Sequence, residues 1–585
     1  VSANRAPYVA AGIVLAVLLI LVKYTLLDRG PDAESNGVRP HPDYPTPEAA
    51  GTQAVFLLEA PPAAVLPGAV PLPDRQGLEP GLHAHCELDG GELTCGPALE
   101  APPGASAHWQ VWRRAGRAAL AERRRPDGRA EETLALARLP TGEPVQVARL
   151  DIHGTLDWVS EIGAQGRLVH QRRRNGLNLL PGCGALRLEL DAHGRPVAET
   201  CLAWSGRPML DRAGVATRRL ARDEHGLVME TIHLDLGGRP TLDHAGIHRV
   251  RIERGEDGRP REIRRFDLEG APRSSSLDGC AGVRLTYEPR GLEASRTCLG
   301  PDGQPAPDAR GVLIESLTHD ARGCLSGRTH LDAQGRPTPD ARGVAGIRLV
   351  TDEACHEQES TCLDATGRAR ACGPGRPARQ RLQRDARGQV VSVRAHGPDG
   401  EPAQDAGHRV FEVRQAWDPR GNRIRQACYD PAGQPIECGS TGFHELVSEP
   451  DEAGRVVRER FLDAMGNRTT NLGTWERRLL YDNYDHLVES RNLGPDGELV
   501  EALGQAVRRQ LFDPGHRLFA VLLEDARGRP ARHAGCFTGV DCPQGAWHAV
   551  RVVRDTHGRP LQNQYFDHER RLMAVQDCAR ARCFE

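Results

Sequence analysis

A turn signal that returns every 31 to 33 residues constrains this chain more than any other feature. Tetrads of the form Asp-x-x-Gly, or close variants, end at Gly194, Gly226, Gly258, Gly291, Gly323, Cys355, Gly388, Gly421, Gly454 and Asp485. A second series runs about twelve residues behind, ending at Gly206, Gly238, Gly270, Gly303, Gly335, Gly367, Gly400, Gly433, Gly466, Gly497 and Gly528. Self-similarity at a fixed period of this size marks a repeat architecture, in which each unit buries its apolar face against its neighbours. Each unit reads as strand, tight turn, strand, looser turn. Residues 185–190 (Ala-Leu-Arg-Leu-Glu-Leu) alternate, Asp191-Ala-His-Gly194 turns, and Pro196 to Trp204 returns. An Asp-x-x-Gly tetrad suits a type I turn followed by glycine at positive φ. The second turn often continues as in Arg336-Pro-Thr-Pro-Asp-Ala-Arg-Gly343. In Arg249-Val-Arg-Ile-Glu-Arg254, Val250 and Ile252 share one face and charged residues take the other. Sustained helical periodicity is absent, which excludes helical arrays of similar period. A weaker copy carries Gly154 and Gly166, and Trp547 to Phe566 reads as a last partial unit.

The expected fold is therefore all-β. Eleven tandem β-hairpin repeats of about 32 residues occupy 184–545, after an N-terminal β region with degenerate repeats over 81–183 and before a partial capping repeat over 546–585. So many antiparallel strands form a long sheet that curls into a spiral, shell or superhelix. Several units resemble YD repeats of the Rhs type and, more loosely, MORN-like hairpin repeats. The residues that carry this are Cys428-Tyr-Asp-Pro-Ala-Gly433, Phe461-Leu-Asp-Ala-Met-Gly466, Tyr481-Asp482, Phe512-Asp513 and Phe566-Asp567, within roughly 150–570. The resemblance implies a sheet wound into a spiral or shell, in some members around a toxin. The chain departs from it in aromatic content, only 4%, with Leu or His often at the Tyr position.

Ahead of the repeats, Tyr8 to Val22 is uncharged, and counting through Leu27 gives a length that spans a bilayer with Lys23 snorkelling. No small-x-small cleavage site follows, so residues 1–27 are expected to be a signal anchor with membrane contact through 8–27. Residues 28–80, rich in Pro, Gly and Ala, are expected to form an extended tether.

The sixteen cysteines are even in number and can be tested against the turns. Cys86/Cys95, Cys183/Cys201 and Cys280/Cys298 are each centred on a predicted hairpin turn. Cys362/Cys372 and Cys428/Cys438 share a spacing of ten around the second turn. Cys324 and Cys355 would join neighbouring strands of successive repeats, leaving Cys536/Cys542 and Cys578/Cys583. Zinc spacing is met by Cys578/Cys583 alone, with no partner pair, so disulfides and an oxidising compartment are the expectation.

Charge is balanced, 76 basic against 79 acidic residues, which argues against a nucleic-acid partner. Lys23 is the single lysine; arginine elsewhere fits GC-rich codon usage. There is no G-x-S-x-G elbow, Walker loop, H-E-x-x-H or dinucleotide fingerprint, so neither enzyme activity nor a cofactor is expected. His83 and His85 beside Cys86 are weak metal candidates and read as exposed; His356 reads as solvent-facing. The Asp-x-x-Gly turns lack the alternating carboxylates of calcium loops and read as turn caps. Arg123 to Arg125 and Arg172 to Arg174 read as solvated strand faces, and Trp109, Trp112, Trp158, Trp204, Trp417, Trp475 and Trp547 as ordinary packing. The functional expectation is a non-enzymatic bacterial scaffold or accessory subunit of a cell-envelope assembly. It would be anchored in the inner membrane with its body in the periplasm or outside the cell, contacting other envelope proteins. The alternatives are a cell-wall or polysaccharide-binding surface protein, or a toxin-shell-like repeat protein.

Overall fold

A computed structural model describes residues 75–578, apart from 76–77, 90–91, 101–105, 139–143, 152–155, 164–167, 174–179, 181–182, 204–205, 405–409, 440–441, 483–485, 514–517, 532–546 and 555–559. The expected anchor, nearly all of the tether, and Gly154, Gly166, Arg174, Trp204, Asp485, Cys536, Cys542 and Cys583 lie outside the described residues. Among the described residues there is no helix long and apolar enough to cross a membrane.

The described elements are 34 strands, β1 (Glu79–His83) to β34 (Leu572–Asp577), numbered in chain order. Contacts divide the chain into two units, one of Val65–Gln415 with Tyr429–Gln434, the other of Ala416–Cys428 with Pro435–Glu585. In the first, β1 pairs β4 (His108–Arg114), and an antiparallel meander runs on through β9 (Leu168–Arg173) and β10 (Ala185–Leu190) to β24 (Glu412–Trp417). β2 (Cys86–Asp89) and β3 (Glu92–Cys95) form a separate hairpin. The second unit repeats the meander through β26 (Glu445–Pro450) to β34.

The repeat unit is one six-residue strand, a tight turn and one seven-residue strand. β10 against β11 (Pro196–Leu202) and β14 (Arg249–Arg254) against β15 (Pro260–Phe266) both show it, each with a bulge beside the turn. Within a hairpin the pairing covers the whole strand. Between hairpins it covers three positions, as in Glu230↔Arg251, Thr231↔Val250 and Ile232↔Arg249. Each repeat is thus a firm hairpin joined to the next by a shorter seam.

The turns explain the glycine rhythm. At Asp191 the carboxylate Oδ1 accepts the N–H groups of His193 (2.8 Å) and Arg195 (2.9 Å), while Gly194 closes the turn at φ 80°. Asp235 does the same in the second turn and Asp211 in a third, which closes at Gly214. The aspartates therefore cap backbone donors of their own turns.

Two clusters of large apolar side chains lie towards the two ends of the described chain. In the first unit Val111, Leu134, Leu136, Val147, Ile162, Val169 and Leu188 pack round the β2–β3 hairpin with Trp109 and Trp158. In the second, Trp547, Tyr565, Val521, Val550 and Leu523 form a comparable cluster, with Trp547 edge-on to Tyr565 at 5.6 Å. Intervening hairpins such as β14–β15 bury little more than one aliphatic side chain, here Ile252. That contributes about 1.5–3 kcal/mol, small against the entropy of ordering about 32 residues. Polar links and staples between strands supply the rest.

Six disulfides are formed in the expected pairs: Cys86–Cys95, Cys183–Cys201, Cys280–Cys298, Cys324–Cys355, Cys362–Cys372 and Cys428–Cys438. Cys578 is also disulfide-bonded, and no described cysteine is free. One expectation needs correction. Cys324 and Cys355 join successive turns, not neighbouring strands, because Cys324 directly follows Gly323 and Cys355 itself takes the left-handed glycine position, φ 65°. Such a set of bridges marks a chain that folds in an oxidising, extracytoplasmic compartment.

Candidate functional site

Two surfaces are built by the repeat geometry: the row of first turns along one end of the strands, and the outward face of the sheet.

The row of first turns is crossed by the N-terminal segment. Glu87 pairs with Arg254 at 2.7 Å, and Gly96 lies against Gly258, where a Cβ on Gly96 would meet the Gly258 Cα at 3.2 Å. Ala107 donates its N–H to the Arg290 carbonyl at 2.7 Å. Pro126 covers Gly323, and Arg129 pairs with Glu353 at 3.1 Å. Residues 87–129 thus meet turn after turn from repeat to repeat, and this seam is sealed by backbone contact at glycines. Glu87 is ionised far below the usual range: burial opposes its charge, but the hydrogen bond to His85 and the Arg254 guanidinium bring it to about 2.

Two of the expected surface groups are buried in this seam. His83 is not exposed: Nδ1 donates to the Gly96 carbonyl (2.8 Å) and Nε2 faces Arg113 (3.0 Å), which leaves no lone pair for a metal. Arg125 is not a solvated strand residue: 2% exposed, it places Nη1 3.1 Å from Cys324 Sγ and also touches Cys355 Sγ. His356 is half-buried beside Asp352 (3.4 Å), not solvent-facing. Among the described residues no group of three or more His, Cys, Asp or Glu could hold a metal ion.

Turns also hold one another through arginine. Arg290 donates to the Asp320 carbonyl (2.8 Å) and Arg322 to that of Asp352 (2.7 Å), linking three successive turns. A second link uses the residue that ends the first strand of a hairpin. Arg222, Arg254 and Tyr287 donate to Pro196, Val228 and Pro260, each the first residue of the preceding hairpin's second strand, at 2.7, 2.7 and 2.8 Å. Tyr481 does so to Val456 at 2.9 Å in the second unit. Burial pushes the Tyr287 hydroxyl up to about 12, so it stays a donor. Sequence reasoning placed Leu or His at this Tyr position and missed that arginine fills the same role. The shared signal was a long donor directly before the turn.

A recess of about 330 Å³ sits between two first turns beside Pro97, lined by Asp223, Glu224, His225, Met229, Arg254 and Glu256 among others. Arg254 is committed to Glu87, Val228 and Gly258, and no nucleophile faces a base there.

The outward face carries an arginine at the third position of the first strand in most hairpins. Arg187, Arg219, Arg251, Arg284, Arg348 and Arg381 mark it in the first unit, Arg478 and Arg509 in the second. Many pair with a glutamate. Glu230 meets Arg251 (2.5 Å), Glu262 meets Arg264 (2.5 Å) and Arg284 (3.0 Å), and Glu359 meets Arg381 (2.7 Å). Successive repeats are two strand spacings apart, so this column advances by roughly 9.5–10 Å. Of the described tryptophans, Trp112 and Trp547 are buried, and Trp109 and Trp158 pack into the first cluster.

No protein-family model matches the chain, and no curated protein matches it. Among solved structures it resembles a TcdB2–TccC3 crystal structure at 12% identity and TM-score 0.29, covering 85% of this chain and 29% of that one. A Photorhabdus luminescens Tc holotoxin pore gives 12% and 0.29, covering 83% and 27%. A porin-like protein from Bacteroides uniformis gives 8% and 0.11, covering 36% and 66%. The chain spans less than a third of the first two, and at these scores the likeness assigns it neither fold nor function.

Proposed function

We propose that this chain is a non-enzymatic, extracytoplasmic scaffold of the cell envelope, which uses the outward faces of its repeats to hold partner proteins. The observation that carries this reading is the outward column of arginines, recurring in most hairpins, many of them paired with glutamate, and laid on a disulfide-stapled sheet. A periodic, charge-alternating face offers polar contact at many equivalent points without a single deep pocket. The disulfides support exposure to an oxidising environment, and the apolar 8–27 segment supports attachment to a membrane. Interface charges act chiefly through complementarity and association rate, so partner binding should be salt-sensitive.

The experiment is in-cell crosslinking from the outward face, with a photoreactive residue at Arg219 or Arg348, compared with one at the buried Leu188. The scaffold reading expects discrete crosslinked proteins from the first two positions and none from Leu188. Recovery of the uncrosslinked monomer alone from every outward position overturns it.

A further inference from the structure

We infer that the Cys324–Cys355 disulfide is a redox-operated latch that holds the N-terminal segment on the turn row. Its position separates it from the other five described bridges. Those close spans of 9 to 18 residues, within one hairpin or across one second turn; this one spans 31 and ties the turns of two repeats. It sets the two Cα atoms 5.2 Å apart, one just past the glycine of its turn and the other in the glycine position of the next turn. Cys355 occupies a left-handed conformation that glycine takes at most equivalent turns, a backbone strain that the bridge holds in place.

The sulfurs form the floor on which the turn between β5 (Arg117–Arg124) and β6 (Ala130–Arg138) rests. Arg125 lies on both sulfurs, donates Nη2 to the Glu353 carbonyl at 3.1 Å and is 3.6 Å from Asp127. Pro126 sits over Gly323, and Arg129 reaches Glu353. The guanidinium touches both sulfurs, and Cys355, half-buried, is the more open of the two residues, Cys324 being 1% exposed.

That arrangement sets the direction of exchange. A thiolate of an external dithiol, the class of reductant required, attacks the Cys355 sulfur and expels Cys324 as a thiolate facing Arg125. The adjacent cation stabilises this leaving group and so speeds its departure. The reagent's second thiol then attacks the mixed disulfide and releases Cys355. Two electrons pass from the dithiol, which becomes a disulfide, to the bridge, which becomes two thiols after protonation. Without the bridge no covalent tie holds the two turns, and Arg125, Pro126 and Arg129 lose a common floor.

The test uses the full chain under stepwise dithiothreitol, with differential alkylation of each cysteine and hydrogen exchange measured by mass spectrometry. Cys324 and Cys355 should be alkylated before the other pairs. At that step exchange in residues 117–130 should rise about tenfold or more while 445–462 stays unchanged. Arg125→Gln should slow reduction of this bridge severalfold. The double variant Cys324→Ser with Cys355→Gly, which restores glycine at the left-handed position, should show the raised exchange without reductant. Late reduction of this pair, an unchanged rate in Arg125→Gln, or full protection of 117–130 in the double variant would each overturn the latch.

Discussion

At the scale of single residues, the turn aspartates show how little of the periodicity is optional. Asp340 is buried, accepts the N–H groups of Arg342 (2.9 Å) and Val344 (3.0 Å), and pairs with the Arg342 guanidinium at 2.9 Å. These donors hold its carboxyl below the usual range against the opposing effect of burial. Asp340→Ala leaves the buried Val344 N–H and the part-buried Arg342 N–H unmatched and is expected to cost about 1–3 kcal/mol in local opening, with Asp340→Asn milder; hydrogen exchange across 338–346 measures it. Histidine sets the response to acid. Burial lowers His233 and His548 to about 4, each in a different unit. Above pH 6.5 both states are neutral and stability is level. Between about 6.5 and 4 the unfolded chain binds a proton that the folded chain refuses, so stability falls. The loss should approach 3 kcal/mol on the order of magnitude per histidine. Denaturant midpoints between pH 7.5 and 4 should drop, and His548→Gln should flatten the part due to the second unit. The turns were legible in the sequence because Asp and Gly each have one dominant use there. These buried histidines were not, because a lone His carries no sign of its depth.

At the scale of elements, the seam between hairpins is where charge does structural work. With three paired positions per seam, a glutamate reaching an arginine on the next strand adds a rung the backbone lacks. Burial decides how much each rung contributes. Glu262 lies between Arg264 and Arg284 with its carboxyl held low despite partial desolvation. Glu489 is fully buried; desolvation raises its carboxyl although Arg509 (3.1 Å) and Arg491 (2.5 Å) oppose it. Removing Glu489 takes the buried carboxylate from Arg491, while Arg509 keeps Glu524 at 2.9 Å. Glu489→Ala should therefore cost roughly 1–3 kcal/mol, while Glu262→Ala stays at or below about 1 kcal/mol. Unfolding of the two variants followed by exchange over their own seams distinguishes these values. The strand alternation of residues 249–254 predicted which face is buried. It did not show that Arg222, Arg254 and Tyr287 serve one clamp, since that role depends on a carbonyl about 26 residues earlier.

At the scale of the whole molecule, the cysteines staple a sheet whose middle hairpins have little apolar core. Each bridge contributes about 2–4 kcal/mol by limiting the unfolded chain. Non-reducing peptide mapping should return Cys578–Cys583 and Cys536–Cys542 beside the six bridges described, with no free thiol. Complete reduction should lower the melting temperature and be recovered on reoxidation. The sequence by itself determined the repeat length, the strand–turn–strand unit and the local pairings, because turn chemistry and short loops act within about twenty residues. Only the tertiary structure decided that residues 87–129 run along the turn row, that Arg125 is buried on a disulfide some 200 residues away, and that His83 faces inward. Those contacts join segments of different repeats, and nothing in the local pattern of either segment records which partner the folded chain brings to it.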